Sequence, residues 1–358
     1  MTAKILEGNV LETLKDVPAC SVQCAVTSPP YYGLRDYGVA GQIGLEPTPE
    51  AYVENLVSVF REVRRVLKDD GTLWLNLGDS YAGSGRGPEG GLSKGENFRE
   101  LEGKHKPYVS DVIKPKDLIG IPWMVAFALR ADGWYLRQDI IWNKPNPMPE
   151  SVTDRCTKAH EYIFLLTKSR VYYYNQDAIR VPYAEASLPR ALRGTSENNK
   201  WADGAPGSTA HTISQPRKNV RKQFEKEHGG GGSGLKGHSG YTAADGRLLI
   251  NPLGRNKWSV WEVPTVAYKE AHFATFPPDL IQPCILAGSK EGDIVLDPFN
   301  GSGTTGEVSI MHNRSYIGCE LNPDYVKLTK RRLSKVQPYM PEQSLTMLAA
   351  DGATRAEN

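Results

Sequence analysis

The stretch Ile294-Val295-Leu296-Asp297-Pro298-Phe299-Asn300-Gly301-Ser302-Gly303-Thr304-Thr305-Gly306 limits what this chain can fold into more than any other. A short apolar run delivers an acid, and glycines and hydroxyls then turn the chain into a helix. Such a turn presents backbone N–H groups to a ligand at the carboxyl end of a strand, which is the geometry of open parallel α/β sheets. Far upstream, Thr27-Ser28-Pro29-Pro30-Tyr31-Tyr32-Gly33 follows a second apolar run containing Ala25 and Val26. Two functional turns at two strand ends imply one sheet that brings them together.

The rest of the pattern supplies such a sheet. Pro49 to Lys68 places Val53, Leu56, Val57, Phe60, Val63 and Leu67 at helical spacing, with Thr48 as cap, Pro49 in the first turn and Asp70-Gly71 as stop. Thr72 to Leu77 then reads as a strand. A second helix is predicted over Pro122 to Asp132, ended by Gly133, followed by an extended stretch from Tyr135 to Trp142 and a strand from Glu161 to Thr167. Toward the end, helices over Asp279 to Ala287 and Thr304 to His312 alternate with the strand carrying Asp297 and one over Ser315 to Cys319. Strands alternating with helices predict an α/β fold with a doubly wound, mostly parallel sheet. The 358 residues accommodate that domain plus an insertion. The expected organisation is a first half over residues 1–170, an insert over 171–257, a second half over 258–336 and a polar tail over 337–358.

The insert is distinguished by charge. From Glu185 to Val260 there are twelve Lys and Arg against six Asp and Glu, a local charge of +6 in a chain of net charge +2. The cluster Arg217-Lys218-Asn219-Val220-Arg221-Lys222 stands beside the run of glycines at 229–232. A basic segment on a mildly acidic body suits a polyanion, and a solvated loop is the plainer alternative. The five cysteines form no CxxC pair and the seven histidines show no ligand spacing, so neither a disulfide framework nor a metal site is expected. Cys24, Cys284 and Cys319 lie in apolar runs and read as buried hydrophobes. No run approaches the roughly 18 apolar residues of a membrane span and no leader pattern is present, so a cytoplasmic protein is expected.

Gly301, Gly303 and Gly306 satisfy Gly-x-Gly-x-x-Gly, which alone is a weak sign of a dinucleotide. Asp297 in front of it argues against one. A carboxylate there repels a pyrophosphate and attracts an ammonium group. Glu320 stands 23 residues after Asp297, about one βαβ unit, where an acid suits ribose hydroxyls.

Taken together, Asp297-Pro298-Phe299-Asn300-Gly301-Ser302-Gly303-Thr304-Thr305 and Ser28-Pro29-Pro30-Tyr31 resemble the cofactor and catalytic motifs of amino-methylating DNA methyltransferases. The order of catalytic motif, basic insert and cofactor motif is that of the family's β group. The resemblance covers roughly residues 4–82, 118–170 and 258–332. It implies a class I S-adenosylmethionine-dependent methyltransferase fold, S-adenosylmethionine as cofactor and DNA, in duplex form, as partner. It further implies that Asp297, Phe299, Gly301, Gly303 and Thr304 line the methionine and ribose pocket. Glu320 would take the ribose hydroxyls, Asn322 would shape the adenine pocket, Phe276 belongs to an additional cofactor motif, and Asn9 stands where the family often has an acid.

The chemistry explains the catalytic motif. An exocyclic amine has its lone pair delocalised into the ring, and acceptors for its N–H groups make the nitrogen more tetrahedral and nucleophilic. Ser28 Oγ and the Pro29 carbonyl are such acceptors, Pro30 stiffens the turn, and Tyr31 offers a ring to a flipped-out base. By resemblance, Ser-Pro-Pro-Tyr goes with cytosine N4 and Asp-Pro-Pro-Tyr with adenine N6; adenine N6 stays the alternative here, as does a catalytically silent nucleic-acid-binding protein. Methylation of cytosine C5 needs a nucleophilic Pro-Cys, and Pro283-Cys284 sits in an apolar helix instead. Lys144, in Trp142-Asn143-Lys144-Pro145, is expected to meet phosphate together with Arg217, Lys218, Arg221 and Lys222. Asp79 reads either as a residue that orients the target base or as a helix cap. A single chain and a homodimer are both compatible with the sequence.

Overall fold

The computed structural model describes residues 2–82, 110, 112–183, 251, 253–266 and 276–339. The chain divides into two compact units, residues 1–179 with 258–358, and residues 180–257. In the second unit the described residues include an antiparallel bridge between Val181 and Arg255.

The first unit is built on an eight-stranded sheet. Its strands are β1 (Ala3–Glu7), β2 (Val22–Thr27), β3 (Leu67–Leu77), β4 (Tyr135–Asn143), β5 (His160–Thr167), β6 (Val260–Glu262), β7 (Ile294–Asp297) and β8 (Ser315–Glu320). They lie in the order β1-β8-β7-β2-β3-β5-β4-β6. Pairing is parallel except along both edges of β5, which runs antiparallel to β3 and β4. The expected doubly wound, mostly parallel sheet is therefore present, with one reversed strand that the pattern did not announce.

Alternation along the strands feeds two cores. Leu73, Leu75 and Leu77 of β3 and Phe164 and Leu166 of β5 point to one face, against α2 (Pro49–Val66) and α3 (Ile121–Ala131). Trp74, Ile163 and Leu165 point to the other, with Val26 and with Leu280, Ile281, Cys284 and Ile285 of α4 (Pro278–Gly288). The period of two explains why every central strand residue from Val22 to Thr27 is buried: both faces of β2 are covered. The short helices α1 (Val10–Thr13) and α5 (Thr304–Met311) follow β1 and β7, and α6 (Pro323–Leu333) follows β8.

Local chemistry sets the helix boundaries. Thr48 Oγ1 accepts from Ala51 N at 3.1 Å and Pro49 occupies the first turn of α2, as expected. The helix ends at Val66, earlier than the Asp70-Gly71 stop. Leu67 is already extended and pairs with Val22, and the register then jumps so that Cys24 faces Thr72. Burial of Leu67 in the first core outweighs the local helical pattern. At the other boundary, Asp79 Oδ1 accepts from Gly120 N and Ile121 N, both at 3.0 Å, which makes Asp79 the cap of α3.

Of the cysteines, Cys24, Cys284 and Cys319 are buried and Cys20 and Cys156 are exposed. Burial pushes the thiol of Cys24 up to about 12 and that of Cys319 up to about 11, so both behave as the small hydrophobes expected of them. Among the described residues no group of His, Cys, Asp and Glu could hold a metal, and no helix is long and apolar enough to cross a membrane.

Candidate active site

Strand order reverses between β7 and β2. From β2 the chain crosses through α2 to β3 on one side, and from β7 through α5 to β8 on the other. A crevice opens at the carboxyl ends of strands at such a point. Here a cleft of about 810 Å³ lies there, within the range of roughly 300–1,000 Å³ typical of small-ligand sites.

The two turns read from the sequence meet in this cleft. Ser28, Pro29, Pro30 and Tyr31 line it from the end of β2, and Asp297, Phe299, Gly301 and Thr304 from the end of β7. Glu320, Asn322, Asn9 and Phe276 line it too. The join is direct, since Thr27 Oγ1 donates to Asp297 Oδ1 at 2.6 Å. Gly303 is absent from the lining. It holds a left-handed φ of +80° at the start of α5, and a Cβ there would lie 2.7 Å from the Thr329 side chain, so it serves close packing behind the wall.

Asp297 has internal partners beside the expected ammonium ligand. It is 1% exposed, and beyond the bond from Thr27 it accepts from Phe299 N at 3.0 Å and from Thr305 Oγ1 at 2.7 Å. Three of its roughly four acceptor sites are thus filled from within the protein. These bonds tie the end of β2 to the glycine turn, while Asp297 still lines the cleft. Burial pushes its pKa up to about 6 against the pull of those three hydrogen bonds.

Glu320 keeps more capacity. Its oxygens accept from Gly301 N at 2.7 Å and Asn322 N at 2.8 Å, with Leu321 N a weaker third donor, and burial pushes its pKa up to about 7. Asn322 caps α6 by accepting from Asp324 N at 2.9 Å, and Asn9 caps α1 by accepting from Leu11 N at 2.9 Å. Both side chains do structural work while bordering the cleft. A fixed carboxylate with spare acceptor sites, a tight glycine turn, and the rings of Phe299, Phe276 and Tyr325 around them fit a ligand with vicinal hydroxyls and a flat base.

The catalytic turn is pinned from several sides. Tyr52 Oη donates to the Pro30 carbonyl at 2.8 Å, and the Tyr31 ring packs where a Cβ on Gly78 would stand, 2.6 Å from its Cε2. Tyr31 Oη donates to Glu161 Oε2 at 2.6 Å and lies 3.2 Å from Asn76 Oδ1. Ser28 Oγ donates to Tyr31 Oη at 3.3 Å. Burial, together with the charge of Glu161, raises the Tyr31 pKa well above its ordinary value, so the phenol keeps its proton. Lys144 lines the cleft, but its ammonium is engaged by Glu161 Oε1 and rests over the Trp142 ring at 4.3 Å. In this structure Lys144 therefore serves an internal ion pair rather than standing free for phosphate. Arg217, Lys218, Arg221 and Lys222 lie outside the described residues.

Sequence reasoning missed Asn76, Glu161 and Lys158. Lys158 Nζ donates to the Asp79 carbonyl at 2.8 Å at the cleft wall, and burial lowers its pKa. The position of Asn76 just before the Gly78-Asp79 turn was a usable signal, because it ends β3 at the edge where β2 ends. Glu161 had none, because nothing local fixes the direction of β5.

With this geometry established, similarity to known proteins becomes informative. Residues 22–331 match the N6/N4 methylase family model, described as DNA methylase, so the chain belongs to that family of DNA methyltransferases. Its cofactor is accordingly S-adenosylmethionine and its substrate DNA. Among its relatives is the type II methyltransferase M.Cfr9I of Citrobacter freundii, 44% identical over 338 residues, covering 92% of this chain and 87% of that one. The fold is shared with the PvuII DNA methyltransferase, described as cytosine-N4-specific, at a TM-score of 0.55 and 16% identity over 97% of this chain and 90% of that one. It is shared as well with a Thermus thermophilus protein solved with S-adenosyl-L-methionine, at a TM-score of 0.52 and 21% identity over 93% of each chain.

Proposed function

We propose that this chain is a site-specific type II enzyme that methylates N4 of a cytosine flipped out of duplex DNA. The observation that carries the reading is Ser28: a neutral hydroxyl at the end of β2, tied through Thr27 and Asp297 to the cofactor turn. S-Adenosylmethionine would supply a sulfonium methyl group; as the exocyclic nitrogen bonds to that methyl the S–CH3 bond breaks, leaving a neutral thioether, and the nitrogen gives up one N–H proton to water. Ser28 Oγ and the Pro29 carbonyl accept from the amine N–H groups, which frees the nitrogen lone pair and fixes its direction. The Tyr31 ring, wedged against Gly78 and tied by its hydroxyl, gives the base a face to stack on. Glu320 and the Gly301 turn would hold the cofactor's ribose, with Asn322, Asn9, Phe276, Phe299 and Thr304 around them. The type II relatives support site-specific action, and the Ser-Pro-Pro-Tyr form of the motif supports cytosine over adenine.

The test is chemical. Duplex DNA methylated by the protein is digested to nucleosides and the modified base identified by mass spectrometry. N4-Methylcytosine is the expected product, and N6-methyladenine alone would replace cytosine by adenine in this reading. Ser28→Ala should lower the methyl-transfer rate by on the order of 10²-fold with cofactor affinity unchanged, the size of loss seen when one preorganised polar group is removed. Binding of DNA with no transfer of labelled methyl groups would make the protein a silent binder.

A further inference from the structure

Five side chains under the catalytic turn form one connected chain of hydrogen bonds, and counting its protons gives it a direction. Ser28 and Tyr31 each bring one hydroxyl proton, while a carboxylate such as Glu161 can only accept. The Tyr31 proton has two neighbours, Glu161 Oε2 at 2.6 Å and Asn76 Oδ1 at 3.2 Å. The shorter, charge-assisted contact takes it. Asn76 cannot reverse the arrangement, because its amide donates to Glu161 Oε2 at 3.2 Å and to the Tyr162 carbonyl at 3.1 Å, which leaves its oxygen toward Tyr31. With its proton spent on Glu161, Tyr31 Oη presents a lone pair to Ser28, and Ser28 donates to it at 3.3 Å. The Ser28 proton is therefore engaged by Tyr31, and the lone pairs of Oγ are what remain for an incoming N–H.

We propose that Glu161 is a positioning residue for methyl transfer, which acts through Tyr31 to make Ser28 a pure acceptor toward the target amine. The proposal rests on the role given to Ser28 above and extends it. Lys144 completes the arrangement: its ammonium sits against Glu161 Oε1, so Oε2 is left for Tyr31 and Asn76. A neutral amide in place of Glu161 ends the polarity. Glutamine can turn an N–H toward Tyr31 Oη, after which Tyr31 can donate to Ser28 and the Ser28 proton is released into the cleft, where it opposes an incoming N–H.

Single-turnover transfer of labelled methyl groups to duplex DNA tests this with Glu161→Gln, Ser28→Ala and the double variant. Glu161→Gln should lower the rate by on the order of 10²-fold while cofactor and DNA dissociation constants stay within about twofold. In the Ser28→Ala background the same change should cost less than about twofold, since the group through which Glu161 acts is gone. Losses that multiply, or a Glu161→Gln enzyme as fast as the parent, would overturn the proposal. Because Glu161→Gln strands the Lys144 ammonium, a paired Lys144→Met, Glu161→Gln variant is measured alongside, with thermal unfolding to report its folding. It should be as slow as Glu161→Gln, and parental speed in this charge-neutral form also defeats the proposal. A parent protein that methylates no DNA is a separate result, which removes the role of Ser28 itself.

Discussion

Burial pushes the Glu320 carboxyl up to about 7, and the ribose-binding role proposed for it gives cofactor binding a pH dependence of definite sign. Ribose hydroxyls arriving as donors need the ionised carboxylate. Below pH 7 the free protein holds a proton there that must leave on binding, so affinity should rise as pH increases toward 7 and level off above it. At pH 6 the dissociation constant should be up to roughly tenfold weaker than on the plateau, and Glu320→Gln should flatten the curve at the weak end. Isothermal titration of the cofactor between pH 5.5 and 8.5 (roughly the span over which such a group titrates) measures both. Asp297, pushed up to about 6, should contribute less to this profile, because most of its acceptor sites are filled by Thr27, Thr305 and Phe299 N. A curve that falls with rising pH would show that Glu320 meets the ligand as a donor.

At the level of elements, the glycine turn depends on α6 as much as on its own strand. Thr329 of α6 donates to the Gly301 carbonyl at 3.0 Å and accepts from Asn300 Nδ2 at 2.8 Å, and the Arg332 guanidinium donates to the Ser302 carbonyl and to Thr304 Oγ1. Gly303→Ala forces a Cβ into Thr329 at a φ where side chains are strained. It should destabilise the fold by about 1–3 kcal/mol, read as a lower denaturation midpoint with an unchanged slope. The turn, its strand and its helix were legible in the sequence because each is a local pattern: apolar run, acid, glycines. The polar chain of Ser28, Tyr31, Asn76, Glu161 and Lys144 was not, because it joins residues in β3 and β5 to residues just past the ends of β2 and β4. A reading that takes every strand as parallel puts Glu161, at the start of β5, on the edge opposite to Ser28. The reversed β5 brings it instead to the carboxyl edge, with Trp142 opposite Glu161 and Leu77 opposite Tyr162. Strand direction is decided by connection and packing, which a pattern of alternating hydrophobics does not encode. The same reasoning explains Asp79, whose two readings from sequence were equal until α3 came to lie over it.

At the scale of the molecule, the proposed reading gives chemistry and recognition to different parts. Every described residue that lines the cleft belongs to the first unit, with the two motifs brought together across 270 residues of sequence by adjacent strands. Residues 180–257 form the second unit and contain Arg217, Lys218, Arg221 and Lys222. The basic residue expected at phosphate within the cleft, Lys144, is paired with Glu161, and the proposal that the insert supplies attraction to the DNA backbone rests on its charge. Each phosphate neutralised by a Lys or Arg releases counterions and adds about 0.9 to the steepness with which log affinity falls against log salt. Changing all four residues to glutamine should weaken duplex binding most at low salt and make that slope shallower by up to about 3.6, if each contacts one phosphate. Cofactor affinity belongs to the other unit and should not move. Filter binding or anisotropy on one duplex from about 50 to 200 mM salt, a span over which such contacts change affinity by orders of magnitude, supplies the slope. An unchanged slope would move DNA recognition away from this cluster, while a shallower slope with the same relative preference among sequences would make the cluster an anchor on the backbone rather than a reader of bases.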